Sequence, residues 1–420
     1  MFNLMNRKGK ALAFVAGALL TFSCAQEKKS TLSSEGLELK RQPYLQMAWG
    51  DSATVTWKTN GVAKECKVVY GTSPENMNLT ATGIVEDQRV NSMNIVKLKG
   101  LKPGTKYFYK VYSNDSLLAF GEEYYLRTEP AKGTNKYSYY AMGDIGQHIH
   151  KKGFPDVTAG RINDLPVRPD FGIGLGDIVY YKGESENYEK NFFFPMRSIM
   201  RNIPFYPALG NHDWGTNPKD NFDQEWILPG NEHYFSFDYQ NTHFVALDSR
   251  NGDFYEPEKQ VKWLEKDLAD AQGKYDWIVV YLHHNGKTCS YKSDNKHVID
   301  LYEVFARNNV DLLLNGHAHT YERLKPYDKD GNVIPQFSAD SLNTYPEIKD
   351  GFISITTGAG GKLNRNWAPD PDNCDHGPIV AKAAHDGHFS LFSVDGRRLE
   401  MKVINSFNGE VMDSMVIDKN

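Results

Sequence analysis

Hydrophobic and polar residues alternate with a period of two from Leu39 to about Arg127. The segments SATVTWKT (52–59), CKVVYGTS (66–73), MNIVKLKGLKPGTKYFYKVYSND (93–115) and EEYYLRT (122–128) carry this pattern, and the third has a Lys-Pro-Gly turn at its centre. Short strands at regular spacing, with Gly/Pro turns and no helical periodicity, predict a β-sandwich. Beyond a linker, EPAKGTN (129–135), the pattern changes. Continuous apolar runs at 137–142, 170–175, 243–247, 277–282 and 310–314 read as strands buried on both faces. Two amphipathic stretches follow helical spacing: 257–273, through Val261, Leu264, Leu268 and Ala271, and 297–309, through Ile299, Tyr302, Val304 and Phe305. Strand runs alternating with helices predict an α/β layer, in which ligands collect at the carboxyl ends of strands.

The N-terminus reads differently. Arg7, Lys8 and Lys10 precede an apolar run (11–22) and then TFSC, ending at Cys24. Residues 1–24 therefore read as a secretory signal, too short to span a membrane well. Cys24 stands where a bacterial lipoprotein signal places its acylated cysteine. This predicts export to the bacterial cell envelope, facing the periplasm or the cell surface, on a lipid anchor at Cys24. Residues 25–38 are polar and read as a flexible tether. The expected organisation is then a sandwich domain over 39–130 and a second domain over 136–415. A net charge of −5 offers no basic surface for nucleic acid, and an aromatic content of 13% fits β-rich packing. Beyond Cys24 there are three cysteines, Cys66, Cys289 and Cys374. An oxidising compartment permits disulfides, and Cys289–Cys374 is the pair to test, because Cys66 falls in the other domain. Oligomeric state is not legible.

Chemistry appears at the ends of the apolar runs. The first ends in GDIG with Asp144, and the next in GDIVY with Asp177 and Tyr180. YPALGNHD supplies Asn211 and His212, WIVVYLHH supplies His283 and His284, and VDLLLNGHAHTYER supplies His317 and His319. A lone Gly-Asp at a turn is ordinarily structural. Five such ends in one chain are a different matter: two carboxylates, a carboxamide, a phenol and three imidazoles can complete two metal shells with hard-to-borderline donors. Other histidines carry less weight. His148 and His150 read as surface loop, His233 and His243 as structural residues around a hairpin, and His376, His385 and His388 as structural or surface. TTGAGGK (356–362) lacks P-loop spacing and reads as a tight loop after a strand near the metals.

In order and spacing these motifs resemble the calcineurin-like metallophosphoesterases, and within them the purple acid phosphatases, whose pattern is GDxG, GDxxY, GNHD/E, VxxH and GHxH. The chain supplies Gly143–Gly146, Gly176–Tyr180, Gly210–Asp213, Val280–His283 and Gly316–His319. HTYER (319–323) and a preceding sandwich also look like that family, and LKGLKPGTKYFYKV (98–111) is similar to the E–F corner of a fibronectin type III domain. The resemblance covers roughly 39–415. It implies an α/β (α+β) metallophosphoesterase β-sandwich flanked by helices, preceded by an all-β fibronectin type III-like sandwich. It also implies that Asp144, Tyr180 and His319 bind one metal, that Asn211, His283 and His317 bind another, and that Asp177 bridges them. A phenol with an ordinary pKa near 10 ionises at neutral pH only beside a strong Lewis acid, which favours Fe(III) in the tyrosine site. The second site suits Zn, Fe or Mn as a divalent ion. Five metal charges, less those of two carboxylates and a phenolate, leave a cationic pocket suited to a phosphate dianion.

The implied activity is hydrolysis of small-molecule phosphate monoesters by a hydroxide formed at the metal pair, as in acid phosphatases. A phosphodiesterase, nucleotidase or phytase would use the same ligands, and a non-catalytic surface binding protein is the remaining alternative. His212 is expected to hydrogen-bond a phosphoryl oxygen or assist the leaving group, and His284 to line the pocket. Plant members carry a further pair of histidines after VxxH. This chain reads NGKTCSYKSDNKH (285–297) there, with Lys287, Tyr291, Lys292 and His297 as candidate substitutes. The leaving-group acid stays unassigned.

Overall fold

A computed structural model describes residues 36–88, 92–214, 221–250, 254–339, 342–364 and 368–420; the expected signal, Cys24 and most of the tether lie outside them. The alternating N-terminal segment forms two antiparallel sheets. One holds Leu39–Trp49, Ser52–Thr59, Ser92–Leu98 and Ile84–Asp87; the other holds Leu79–Thr82, Cys66–Gly71, Lys106–Ser113, Ser116–Ala119 and Tyr125–Arg127. Period-two burial is plain in Lys106–Ser113, where Tyr107, Tyr109 and Val111 face inward and Phe108, Lys110 and Tyr112 do not. The two inner faces meet around Leu45, Val55, Trp57, Val68 and Val96. The polar end of the Trp57 ring is satisfied there, its Nε1–H donating to Ser113 Oγ at 2.9 Å.

Two mixed sheets face each other in the rest of the chain. In the first, Lys136–Met142, Phe171–Leu175 and Phe205–Ala208 run parallel, and His388–Asp395, Arg398–Asn405 and Val411–Asp418 extend the sheet antiparallel. In the second, Thr242–Ala246, Trp277–Tyr281, Leu312–Asn315 and Gly351–Thr357 run parallel. The apolar runs hide their period of two because both faces are covered. Val279 and Tyr281 point into the core between the sheets, while Ile278, Val280 and Leu282 pack under the outer helices. Aromatic residues fill much of the inter-sheet core. Tyr139 stacks on Phe171 at 5.2 Å and on Phe392 at 4.8 Å, and meets Phe244 edge-on.

The helix Pro257–Ala271 starts on proline, whose missing N–H costs nothing at that position, and buries Leu264, Leu268 and Ala271. The second expected helix is divided into Lys296–Ile299 and Tyr302–Arg307. At the break the Leu301 N–H bonds three residues back, to Val298 O, which tightens the turn and interrupts the α-helical ladder. Cys289 and Cys374 form a disulfide, and Cys66 is a buried thiol. Among the described residues no helix is long and apolar enough to cross a membrane.

The sandwich is joined to the rest of the chain by buried charge. Arg41 and Lys58, from its first two strands, both pair with Glu225, and all three side chains have no exposed surface. Arg41 also reaches Glu189. Burial works to lower the Arg41 guanidinium, but Glu189 and Glu225 outweigh it and hold the group firmly charged.

Candidate metal centre

Five of the parallel strands end in the loops that carry the predicted donors. Asp144 follows Lys136–Met142, and Asp177 and Tyr180 follow Phe171–Leu175. Asn211 and His212 follow Phe205–Ala208, His283 follows Trp277–Tyr281, and His317 and His319 follow Leu312–Asn315. The Gly-rich loop 358–362 follows Gly351–Thr357 and closes over them. Two glycines show how tightly these loops meet. A Cβ on Gly176 would lie 2.6 Å from the His283 side chain, and one on Gly358 would lie 2.1 Å from Ala318 O. Asp144, Asp177 and His317 adopt left-handed backbone, with φ of 56°, 50° and 67°. Non-glycine residues seldom do so, and the turn it makes aims each side chain back across the sheet edge.

The donors converge in two groups. In one, Tyr180 Oη donates to Asp144 Oδ1 at 2.8 Å and lies 3.2 Å from His319 Nε2. In the other, His283 Nε2 lies 3.1 Å from Asn211 Oδ1, 3.2 Å from His317 Nδ1 and 3.3 Å from Asp177 Oδ1. One donor atom from each of Asp144, Asp177 and His283 falls within 4.8 Å of the others, so the groups adjoin. The second group is short of protons. His283 Nδ1–H donates to Leu175 O at 2.8 Å, which directs Nε2 inward. It faces an amide oxygen, a carboxylate and a second imidazole, all at hydrogen-bond distance. Protonating Nε2 serves one of these partners well; a divalent cation serves all four.

Titration behaviour follows the same logic. Burial works against charge on His283, but the charge and hydrogen bond of Asp177 outweigh it and hold the ring up at about 9. Asp177 is held well below the usual carboxylate range: burial pushes it up, but His283 and His212 outweigh that. Burial, and then the Asp144 and Asp177 charges, push the Tyr180 phenol well above its usual value. His317 is pushed far down by burial and by His283 and His284, which keeps it a neutral imidazole. The His319 Nδ1 atom is buried with no hydrogen-bond partner, and its Nε2 lies 3.1 Å from Asp144 Oδ1.

Two stretches of this chain match known families. Residues 41–128 match the purple acid phosphatase N-terminal domain, and residues 138–321 match the calcineurin-like phosphoesterases. The chain carries a purple acid phosphatase N-terminal domain followed by a calcineurin-like phosphoesterase domain. It is 28% identical over 314 residues to purple acid phosphatase 21 of Arabidopsis thaliana, covering 69% of this chain and 68% of that one. It is 25% identical to probable inactive purple acid phosphatase 9 of the same plant, covering 76% of this chain and 55% of that one. A purple acid phosphatase from yellow lupin (Lupinus luteus) seeds has the same fold, with a TM-score of 0.76 at 21% identity over 90% of this chain and 74% of that one. The family implies a dinuclear metal centre and phosphoesterase chemistry, and the donor set above fits such a centre.

Around the donors, His212 is half-buried. Its Nδ1–H donates to Tyr181 O at 2.7 Å, which leaves Nε2 facing outward, 3.9 Å from Asp177 Oδ2. His284 is buried behind His317, with ring centroids 4.3 Å apart and its Nδ1 3.1 Å from Ser249 Oγ. Burial and the neighbouring His283 push it down to about 3. Three of the less-weighted histidines are held by partners outside the donor groups. His243 is clamped between Asp238 and Asp267, His376 pairs with Asp294, and His148 accepts the His150 N–H on an exposed turn.

Of the four candidate substitutes after His284, two reach the centre. Tyr291 Oη accepts the His319 N–H at 3.2 Å, and Lys292 follows it. Lys287 turns away to Gly331 O, and His297 stands exposed at the start of a short helix. Two contributors go unnoticed in the sequence. Lys362 ends the Gly-rich loop, with its Nζ 3.5 Å from the Tyr180 ring centroid; the signal was a cation closing a loop that follows a strand of the site. Asp213 completes the GNHD motif, and its buried carboxylate accepts N–H groups from Gly210, Ile178 and Val179.

Proposed function

We propose that this chain is an exported, lipid-anchored, metal-dependent acid phosphatase that hydrolyses phosphate monoesters. The observation that carries the reading is the grouping of seven donors from five strand ends into two adjoining sets, with the Asp177 carboxylate in one and the Asp144 carboxylate in the other. Asp144, Tyr180 and His319 would hold Fe(III), and Asn211, His283 and His317 would hold Zn, Fe or Mn(II), with Asp177 between them. When bound, the two ions supply Lewis acidity that lowers the pKa of water and offsets phosphate charge. The chain's own groups do the rest. Asp177 accepts the His212 N–H at 2.8 Å and so fixes the loop that carries Asn211. His212 presents Nε2 to a phosphoryl oxygen or to the leaving oxygen. His284 buttresses the His317 ring and lines the base of the pocket. The basic start, apolar run and Cys24 support export and anchoring, and the tether would carry the enzyme clear of the membrane.

Elemental analysis with paired assays on p-nitrophenyl phosphate and bis-p-nitrophenyl phosphate tests this. The reading expects two metals per chain and faster turnover of the monoester. Faster turnover of the diester would favour a phosphodiesterase on the same ligands. A protein that binds no metal and turns over neither would be a surface binding protein, as the inactive-named relative warns.

A further inference from the structure

Two lysines from separate loops approach the donor groups. Lys362 sits half-buried with its ammonium over the Tyr180 ring at 3.5 Å and 5.2 Å from the Tyr181 ring centroid. Lys292 sits half-buried beside Tyr291, whose ring packs 6.1 Å from the His319 ring. Among the described residues neither ammonium is in an ion pair, although the Asp144 and Asp177 charges act on Lys362. The two lysines are close enough to act on one another, and Lys292 acts on His284 and His317 as well. Lys362 therefore stands over the Tyr180 group, while Lys292 stands near His319 of that group and acts on His284 and His317 at the other.

Neither lysine is loosely placed. The loop carrying Lys292 is stapled by the Cys289–Cys374 disulfide and by the His376–Asp294 pair. Glu322, buried in the HTYER segment, accepts the Thr288 hydroxyl at 2.7 Å and the Cys289 N–H at 2.8 Å. Lys362 is placed by the Gly-rich loop, where Gly361 N–H bonds to Asp144 O at 3.1 Å. Two held ammonium groups beside a metal-ligand set oppose the binding of cations. The arrangement becomes favourable when an anion lies between them. The ligand set already leaves the centre cationic enough for one phosphate dianion, so the lysines add charge that a single phosphate does not match.

We propose that Lys292 and Lys362 form a second anion subsite at the mouth of the centre. It selects phosphate esters that carry a further phosphate or comparable anionic group close to the scissile one. This rests on the reading that phosphate binds at the Asp177 centre, and it assigns the two lysines to the part of the substrate that is not attacked.

The test is titration calorimetry on the metal-loaded enzyme with two non-hydrolysable probes, inorganic phosphate and methylenediphosphonate. The diphosphonate should bind about tenfold or more tightly than phosphate, about 1.4 kcal/mol. In Lys362→Met and in Lys292→Met that preference should fall below about threefold, and Lys362→Arg should retain it. The lysines come from separate loops, so either folded methionine variant, checked by thermal unfolding, decides the matter. A preference unchanged in either folded methionine variant, or absent in the parent, overturns the subsite while metal content and p-nitrophenyl phosphate turnover stand. Absence of metal and of turnover overturns the functional reading, and the subsite with it.

Discussion

Replacing Asp213 with alanine removes the acceptor that ties the two most important ligand loops together. Its Oδ2 takes the N–H groups of Gly210 at 2.9 Å and Ile178 at 3.1 Å, and its Oδ1 takes that of Val179 at 3.1 Å. Ile178 and Val179 lie between Asp177 and Tyr180, and Gly210 immediately precedes Asn211. Hydrogen bonds to a charged acceptor contribute about 1.5–3 kcal/mol each, so three represent about 5–9. The carboxylate is itself uncomfortable there: burial and the charge of Asp177 push it from 3.8 up to about 7. Removing the buried carboxyl also relieves that desolvation and the repulsion from Asp177, which offsets part of the hydrogen-bond loss. The net loss should be about 3 kcal/mol in urea unfolding of metal-free protein. Metal retention separates positioning from mere stability. Glu225→Gln gives a control destabilised by a similar amount and remote from the donors. Asp213→Ala should lose bound metal on dialysis far faster than that control, and Asp213→Asn, which keeps one oxygen for Gly210 and Ile178, should fall between. If Asp213→Ala holds both metals as firmly as the control, the tie between the loops is not what organises the site.

Tyr180→Phe should leave the fold intact, by circular dichroism, and abolish any visible charge-transfer band of iron-loaded protein; a retained band would remove the tyrosine from the ligand set. Asp177→Asn should cost occupancy of both metals and nearly all turnover, and full activity would rule out a bridging role. Glu225→Gln leaves the buried Arg41 and Lys58 cations with Glu189 alone, and should cost about 3–5 kcal/mol in chemical denaturation; a loss under about 1 kcal/mol would mean solvent reaches them. At His243, burial acts downward but the Asp238 and Asp267 hydrogen bonds and charges raise the ring to about 9. Its folded value lies above its unfolded one, so its contribution is complete below about pH 6.5 and fades as pH rises through 9. Because Asp238 is half exposed, the fall should be about 2 kcal/mol. His243→Gln should flatten it.

What the sequence discloses follows what local chemistry can encode. The strand ends are legible because each couples an apolar run to a Gly-Asp, Gly-Asn-His or Gly-His turn, and the turn and the donor are adjacent in the chain. The sandwich is legible because its strands cover one face each, so Tyr107, Tyr109 and Val111 alternate visibly. The positioning groups are not legible in this way. Glu322 acts on Thr288 and Cys289, and Arg41 acts on Glu225, across separations that only folding closes. Lys362 carries no motif of its own; its meaning comes from the Tyr180 ring beneath it. The divided helix at 297–309 keeps its apolar spacing, so periodicity alone reads it as continuous.

The left-handed backbone at Asp144, Asp177 and His317 ties these levels together. Each such residue costs about 1–2 kcal/mol over ordinary backbone, a total of about 3–6. A protein selected for stability alone would place glycine at those positions. Here the strained residues brace one another: Asp144 N–H bonds to Gly176 O at 3.0 Å, Ile145 N–H to Asp177 O at 3.0 Å, and His317 N–H to Asp144 Oδ2 at 2.8 Å. The same Asp144 carboxylate thus fixes the backbone of one expected ligand while its other oxygen meets Tyr180 and His319. Glycine would relieve the strain but supply no donor. Nine other described non-glycine residues share this backbone at ordinary turns, but at Asp144, Asp177 and His317 the turn also carries an expected metal donor, which a glycine would forfeit.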